Sequence, residues 1–341
     1  MEHKNDILQP NEITKEQKAS IKTRLIAAGA VILITFPLIF LGDWFFFAMV
    51  FGFTVLSAYE IIHCAKRKYN PALYIVAIIL SLLMAYWPII VAIPDFISGA
   101  KDFSGHIYNA YNSIYISVSV LALSAIGLFF MVIIDKGFSV RDACFIFTML
   151  IIITIAYQSG LFLRSLPTIK YHEAHPEATT NFFNFQDNFM TSMLFVYVGI
   201  GTFMTDTGAY FIGIFFGKHK MNPRISPKKT WEGFVGGIVV SFLCSFGFAL
   251  ALCATGNPLV IGLMDMSHWY LILVLSLIIP FVSTLGDFVF SSAKRYFNIK
   301  DFGNIIPGHG GVLDRLDSLI FAMITSAVVL TLAQYWGSFV K

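Results

Sequence analysis

The chain has 341 residues, of which 57% are hydrophobic and only 13% charged, with a mean hydropathy of +0.74. Soluble domains run near 45–50% apolar and about 25% charged, so this composition excludes an ordinary soluble globular protein. The net charge of +3 says little by itself; its distribution says more.

Residues 1–24 form a polar tail carrying Glu2, Lys4, Asp6, Glu12, Lys15 and Glu16. It is too polar and too long to be the start of a cleaved signal peptide. Beyond it, apolar windows recur at about the 20-residue length needed to cross roughly 30 Å of hydrocarbon. They predict an all-α polytopic membrane protein with nine spans, at about 25–41, 44–64, 72–94, 113–134, 143–163, 191–216, 234–254, 268–290 and 317–339. The segment 164–190 reads as the longest non-membrane stretch before the last four spans. Its His172, Glu173, His175 and Glu177 lie beside Phe182, Phe183 and Phe185, which suits an aromatic interfacial cap better than a metal site. Cys64, Cys144, Cys244 and Cys253 sit in or at the ends of spans without ligand spacing, and read as buried small hydrophobes. No soluble domain is expected. The chain divides into the tail, a first membrane region over 25–190 and a second over 191–341.

Nineteen of the 23 Lys and Arg fall on one side of this nine-span layout. They lie in the tail, at Lys66-Arg67-Lys68, at Lys136 and Arg141, between Lys218 and Lys229, and at Lys294, Arg295, Lys300 and Arg315. Lys101, Arg164, Lys170 and Lys341 fall on the other. Cytoplasmic segments carry the basic excess, so the N-terminus is predicted inside and the C-terminus outside.

The second region is where acids interrupt the apolar runs. A carboxylate at membrane depth costs roughly 2.5–3.5 kcal/mol on insertion scales, so it implies a cavity, a partner or an ion. Asp206 lies deep in the sixth span. Ala209, Gly213 and Gly217 follow at four-residue steps, a pattern that lets membrane helices approach closely. After that span come Ser226-Pro227-Lys228-Lys229-Thr230, hydroxyls and cations that suit phosphate. The eighth span ends with Asp287, Ser291 and Lys294, whose spacing puts them on one helical face. Pro307-Gly308-His309-Gly310-Gly311 is too glycine-rich for helix and favours close approach to a ligand. Asp314 and Asp317 then share a face of the helix opening the ninth span, with Arg315 turned about 100° away. Together these residues suggest a metal–phosphate site at a membrane surface.

The same residues resemble the signature of the phosphatidate cytidylyltransferases, or CDP-diacylglycerol synthases. The resemblance rests on Asp206-Thr207-Gly208-Ala209-Tyr210, Gly217-Lys218, Ser226-Pro227-x-Lys229-Thr230, Ser291, Lys294-Arg295, Lys300-Asp301, His309-Gly310-Gly311 and Asp314-Arg315-x-Asp317. It covers about residues 206–317. The pattern differs at Phe290, where family members carry glutamate, and at Ala293, where they carry a larger aliphatic residue. The resemblance implies transfer of cytidylate from CTP to phosphatidate, with release of pyrophosphate, at the cytoplasmic face of the plasma membrane. It implies Mg²⁺ on Asp287 and Asp314, alone or with a monovalent cation such as K⁺. Lys229, Lys294, Arg295 and Arg315 would balance developing charge. His309 would donate to phosphate, with a general base as the alternative role. Asp206, Ser226, Thr230, Ser291, Gly310, Gly311 and Asp317 would line the substrates. The bilayer and a second copy of the chain are the other partners expected; nucleic acid is not. Two alternatives stand beside this reading, a CTP-dependent lipid-alcohol kinase and an ion-coupled transporter. The crowding of polar residues into one half argues against the transporter.

Overall fold

Among the described residues, each of the nine expected spans folds as helix. The computed structural model describes residues 29–65, 67, 69–97, 114–175, 189–306, 308 and 310–339; the polar tail, Pro307 and His309 lie outside them. In chain order the helices are α1 (Gly29–Phe40), α2 (Asp43–His63), α3 (Pro71–Ile97), α4 (Ile114–Ile134) and α5 (Val140–Ala174). They continue with α6 (Met193–Phe216), α7 (Trp231–Ala254), α8 (Trp269–Tyr296) and α9 (Leu313–Phe339). Among the described residues, seven of these helices are long and apolar enough to cross a membrane; α1 is shorter, and α6 is not among the seven.

Three sequence expectations change. The stretch from 164 is not a loop at its start, because α5 runs on through Arg164 and Pro167 to Ala174. Arg164 is fully buried and donates to Thr191 Oγ1 at 2.8 Å, so its charge marks an internal contact and not the end of a helix. The remainder of the predicted cap, 176–188, lies outside the described residues. Second, the basic segment after α6 is not irregular. It forms an antiparallel hairpin of β1 (Lys220–Asn222) and β2 (Ser226–Thr230), so the protein is not purely helical. Third, Cys64 and Cys253 are buried, but Cys144 and Cys244 are exposed on outward helix faces.

The glycine spacing in α6 does serve packing. A side chain at Gly208 would meet Val240 of α7 at 2.8 Å, and one at Gly237 would meet the Thr205 carbonyl of α6 at 2.7 Å. Bare backbone on both helices therefore forms the α6–α7 seam. On the α9 side, a Cβ on Gly286 of α8 would lie 2.7 Å from the Asp317 carbonyl, which brings α8 and α9 together where their acids sit.

The polar connections gather at one end of the bundle. Arg67 pairs with Asp142 at 2.7 Å, and the Asn70 amide donates to Asp135 at 2.8 Å. Arg295 donates to the Ile225 carbonyl of the hairpin. Segments 64–70, 135–142, 217–230 and 294–315, all assigned to one side by charge, thus share an end.

Candidate active site

The site is built where α8 ends and α9 begins. Asp287, Ser291 and Lys294 occupy one face of α8. The Ser291 hydroxyl donates to Asp287 Oδ1 at 3.0 Å, while Asp287 Oδ2 pairs with Lys229 Nζ of β2 at 2.5 Å. Lys229 also lies over the Phe288 ring. Lys294, only 10% exposed, reaches α9 in the other direction. Its Nζ is 2.9 Å from Asp314 Oδ1 and 3.7 Å from Asp317 Oδ2. Each lysine comes from one segment and pairs with acids of another, so the hairpin, α8 and α9 are tied by charge.

Asp314 is the most enclosed of the lysine-paired aspartates, with 4% side-chain exposure. Its Oδ2 accepts from the Phe302 amide at 2.8 Å and the Gly311 amide at 3.0 Å. It therefore folds the 302–311 loop over the start of α9. Gly310 adopts φ +85°, a left-handed conformation that favours glycine, and its carbonyl accepts from the Ile306 amide at 2.9 Å.

A residue outside every motif holds this loop from below. Glu60 of α2 is buried, and its carboxylate accepts from the Val312 amide at 2.8 Å and the Leu313 amide at 2.9 Å. It caps the N-terminus of α9, where backbone donors lack helical partners and negative charge is favoured. Gly303 and Gly311 leave room for it: a Cβ on either would strike the Glu60 carboxylate. The available sequence signal was the one that marked Asp206, an acid within an apolar run.

Asp206 of α6 lies in electrostatic reach of Lys229, Asp287 and Asp317, beside Ser318. It is exposed at the surface of the isolated chain, so this side of the acid cluster is open. Asp317 accepts from the Ser318 amide at 2.8 Å.

Several expected residues take other places. Thr230 is buried and caps α7, accepting from the Gly233 amide at 3.2 Å, with its Oγ1 packed against Gly217 and Gly233. Ser226 pairs across the hairpin with Asn222. Arg295 gives two of its five N–H donors to the carbonyls of Ile225 and Ile299, which fastens the hairpin to the end of α8. Arg315 is exposed on α9, away from the Asp314–Asp317 face. Phe290 is fully buried edge-to-face against Phe302 and Phe321. Core packing thus occupies the position where the resembling pattern carries glutamate. His309 falls outside the described residues.

Four carboxylates, Asp206, Asp287, Asp314 and Asp317, face two ammonium groups here. Such an excess repels polyphosphate unless a cation joins it. Among the described residues, no three His, Cys, Asp or Glu already converge as a ready ion site. Mg²⁺ does not require that, since it is commonly held by one or two carboxylates plus water and substrate phosphate. The oxygen-only donors therefore fit such an ion. Asp287 and Asp314 both have their two oxygens engaged; they differ in exposure, 24% for Asp287 against 4% for Asp314, with Asp317 between them at 13%.

The family model described as "Cytidylyltransferase family" matches residues 22–333. The chain is 38% identical over 167 residues to the phosphatidate cytidylyltransferase of Staphylococcus saprophyticus, an alignment covering 42% of this chain and 59% of that protein. It is 42% identical over 127 residues to the protein of the same name from Bacillus subtilis, covering 37% of this chain and 43% of the relative. With the Staphylococcus aureus protein of that name the identity is 40% over 164 residues, 42% of this chain and 59% of the relative. The chain thus spans less than two thirds of the length of these curated relatives. The family match itself runs through nearly all of the membrane helices and both halves of the acid cluster. The chain belongs to the cytidylyltransferase family.

Proposed function

We propose that this protein transfers cytidylate from CTP to phosphatidate, giving CDP-diacylglycerol and pyrophosphate, as its matched relatives' name describes. The observation that carries the reading is the meeting of Lys229 and Lys294 with Asp287, Asp314 and Asp317 at one end of an apolar bundle. A water-soluble triphosphate and the headgroup of a bilayer lipid can both reach that place.

The chemistry needs little acid–base help. A phosphate monoester has its second pKa near 6, so at neutral pH the phosphatidate phosphate is mostly a dianion ready to attack. Its oxygen forms the new bond to the α-phosphorus of CTP while the bond to the pyrophosphate oxygen breaks. The residues supply positioning and charge balance, which dominate such transfers. Lys229 is placed to meet phosphate oxygens from the hairpin side, and Lys294 from the α9 side. Asp314, held by amides and Lys294, keeps the glycine loop in shape. Mg²⁺, held by Asp287 with Asp317 and supported by Asp206, would neutralise triphosphate charge. To take part, Asp287 would exchange its contact with Lys229, and Asp314 its bond to Lys294.

The same reading places the protein in the plasma membrane with nine spans, adding α1 and α6 to the seven apolar helices, and with the N-terminus and the acid cluster cytoplasmic. The clustering of basic segments at one end of the bundle supports it.

Purified protein in detergent, given cytosine-labelled CTP and phosphatidate, should form a lipid-soluble labelled product only with Mg²⁺ present. Label that enters lipid with a diacylglycerol or polyprenol acceptor, but not with phosphatidate, would point to a different acceptor class.

A further inference from the structure

On the opposite side of α8 from the acids lies a cavity of about 850 Å³, between α8 and the first turns of α5. Asp287, Ser291 and Lys294 share one face of α8; Val289 and Tyr296 point from the other and line this cavity. Its walls are apolar along the helices, through Phe145 and Met149 of α5 and Val289 of α8. Its polar end holds two cations, Arg67 and Arg141, and one carboxylate, Asp142, which is paired with Arg67.

Those arginines are prepared for an anion. Arg67 is 58% exposed on its side chain and gives one of its five N–H donors to Asp142 at 2.7 Å. Asp142 does not compete for the remaining donors. Its Oδ2 also accepts from the Ser139 hydroxyl and amide, closing the N-terminal cap of α5. Arg141 is exposed, with its guanidinium carbon 5.2 Å from the centre of the Tyr296 ring, which holds the planar group over the cavity wall. The hydroxyls of Thr148 and Ser292 bond carbonyls of their own helices at 2.8 and 2.7 Å, so they do not fill the polar end.

Two guanidiniums above an apolar trough, at the end of the bundle where the basic segments gather, match one kind of molecule. We propose that this cavity binds an anionic glycerophospholipid of the surrounding leaflet, its phosphate between Arg67 and Arg141 and an acyl chain along Phe145, Met149 and Val289. Guanidinium suits phosphate by geometry as well as charge. The site is separate from the reaction, and the inference stands whether or not phosphatidate is the substrate. The bound lipid would pack against the back of the helix that carries Asp287 and Lys294.

The test uses the full chain in nanodiscs, with Phe145→Trp as a reporter inside the cavity and the parent protein as background for the native tryptophans. Quenching by dibrominated phosphatidylglycerol is compared with quenching by dibrominated phosphatidylcholine. A basic residue near an anionic surface favours such lipids by roughly fivefold, and Arg67 is partly balanced by Asp142, so the phosphatidylglycerol preference should be at least about fivefold and carried mainly by Arg141. Arg141→Gln leaves the Arg67–Asp142 pair intact and should remove most of that preference; adding Arg67→Gln should remove the rest. Equal quenching by the two lipids would overturn the proposal. So would a preference that survives both substitutions in protein that remains monodisperse.

Discussion

Glu60 offers the sharpest perturbation, because it sits in the first membrane half yet holds the loop of the second. Its carboxylate takes the Val312 and Leu313 amides at 2.8 and 2.9 Å. Hydrogen bonds to charged groups contribute about 1.5–3 kcal/mol each. Glu60→Gln keeps one acceptor oxygen and turns an amide NH₂ toward the other backbone donor, so about 1.5–3 kcal/mol of loop order is lost. Glu60→Ala removes both acceptors and loses about twice that. If turnover needs the ordered loop, the Gln variant should fall about ten- to a hundredfold in kcat/KM, at about 1.4 kcal/mol per factor of ten. The Ala variant should fall further. Both should still purify as folded protein, since α2 keeps its other core contacts through Ile61 and Ile62. The assay is cytidylate transfer per folded molecule, with thermal unfolding in detergent measured in parallel. Near-wild-type turnover by both variants would refute the claim that Glu60 positions the loop.

Other outcomes follow from the same geometry. Gly303→Ala should reproduce much of the Glu60→Ala loss, because its Cβ would lie 2.6 Å from Glu60 Oε1; unchanged turnover would contradict that crowding. Asp287→Asn should lower activity by orders of magnitude while leaving thermal stability close to wild type, and unaltered Mg²⁺ dependence would remove Asp287 from the ion site. Asp314→Asn should lower the unfolding temperature more than Asp317→Asn does, because Asp314 alone accepts from the loop amides and bonds Lys294 at 2.9 Å; matched shifts would contradict this. Cysteine placed at Lys228 should be labelled by an impermeant reagent only from inside the cell, whereas labelling from outside would invert the proposed topology.

Much of the helical layout was legible, because runs of some 20 apolar residues carry their own length rule. The helices start and stop within a few residues of the apolar limits, except that α8 runs six residues past residue 290 and α5 runs on to Ala174. There a charged Arg164 looked like a boundary, and a tertiary contact such as that with Thr191 shows how a buried cation can continue a helix. The hairpin was not legible. Its strands are three and five residues long, too short for an alternating pattern to stand out. In the site, the Asp287–Ser291–Lys294 face followed from helical spacing alone. Which acid each lysine meets did not, because Lys229 and Lys294 pair across separate segments. Thr230 illustrates the same limit: a hydroxyl beside two lysines suits phosphate, and its cap on α7 is visible only in the fold. Glu60 lies 252 residues from its Val312 partner, a distance no local pattern spans.

The central claim is that cytidylate, not phosphate, passes to a lipid that already carries a phosphate. Parallel reactions with CTP labelled at the α-phosphorus and at the γ-phosphorus, each with phosphatidate and Mg²⁺, test it most directly. The α label should enter the lipid fraction and the γ label should leave as pyrophosphate, with both yields lost in Asp287→Asn. Recovery of the γ label in lipid, with CDP as the soluble product, would contradict it and assign the site to a kinase.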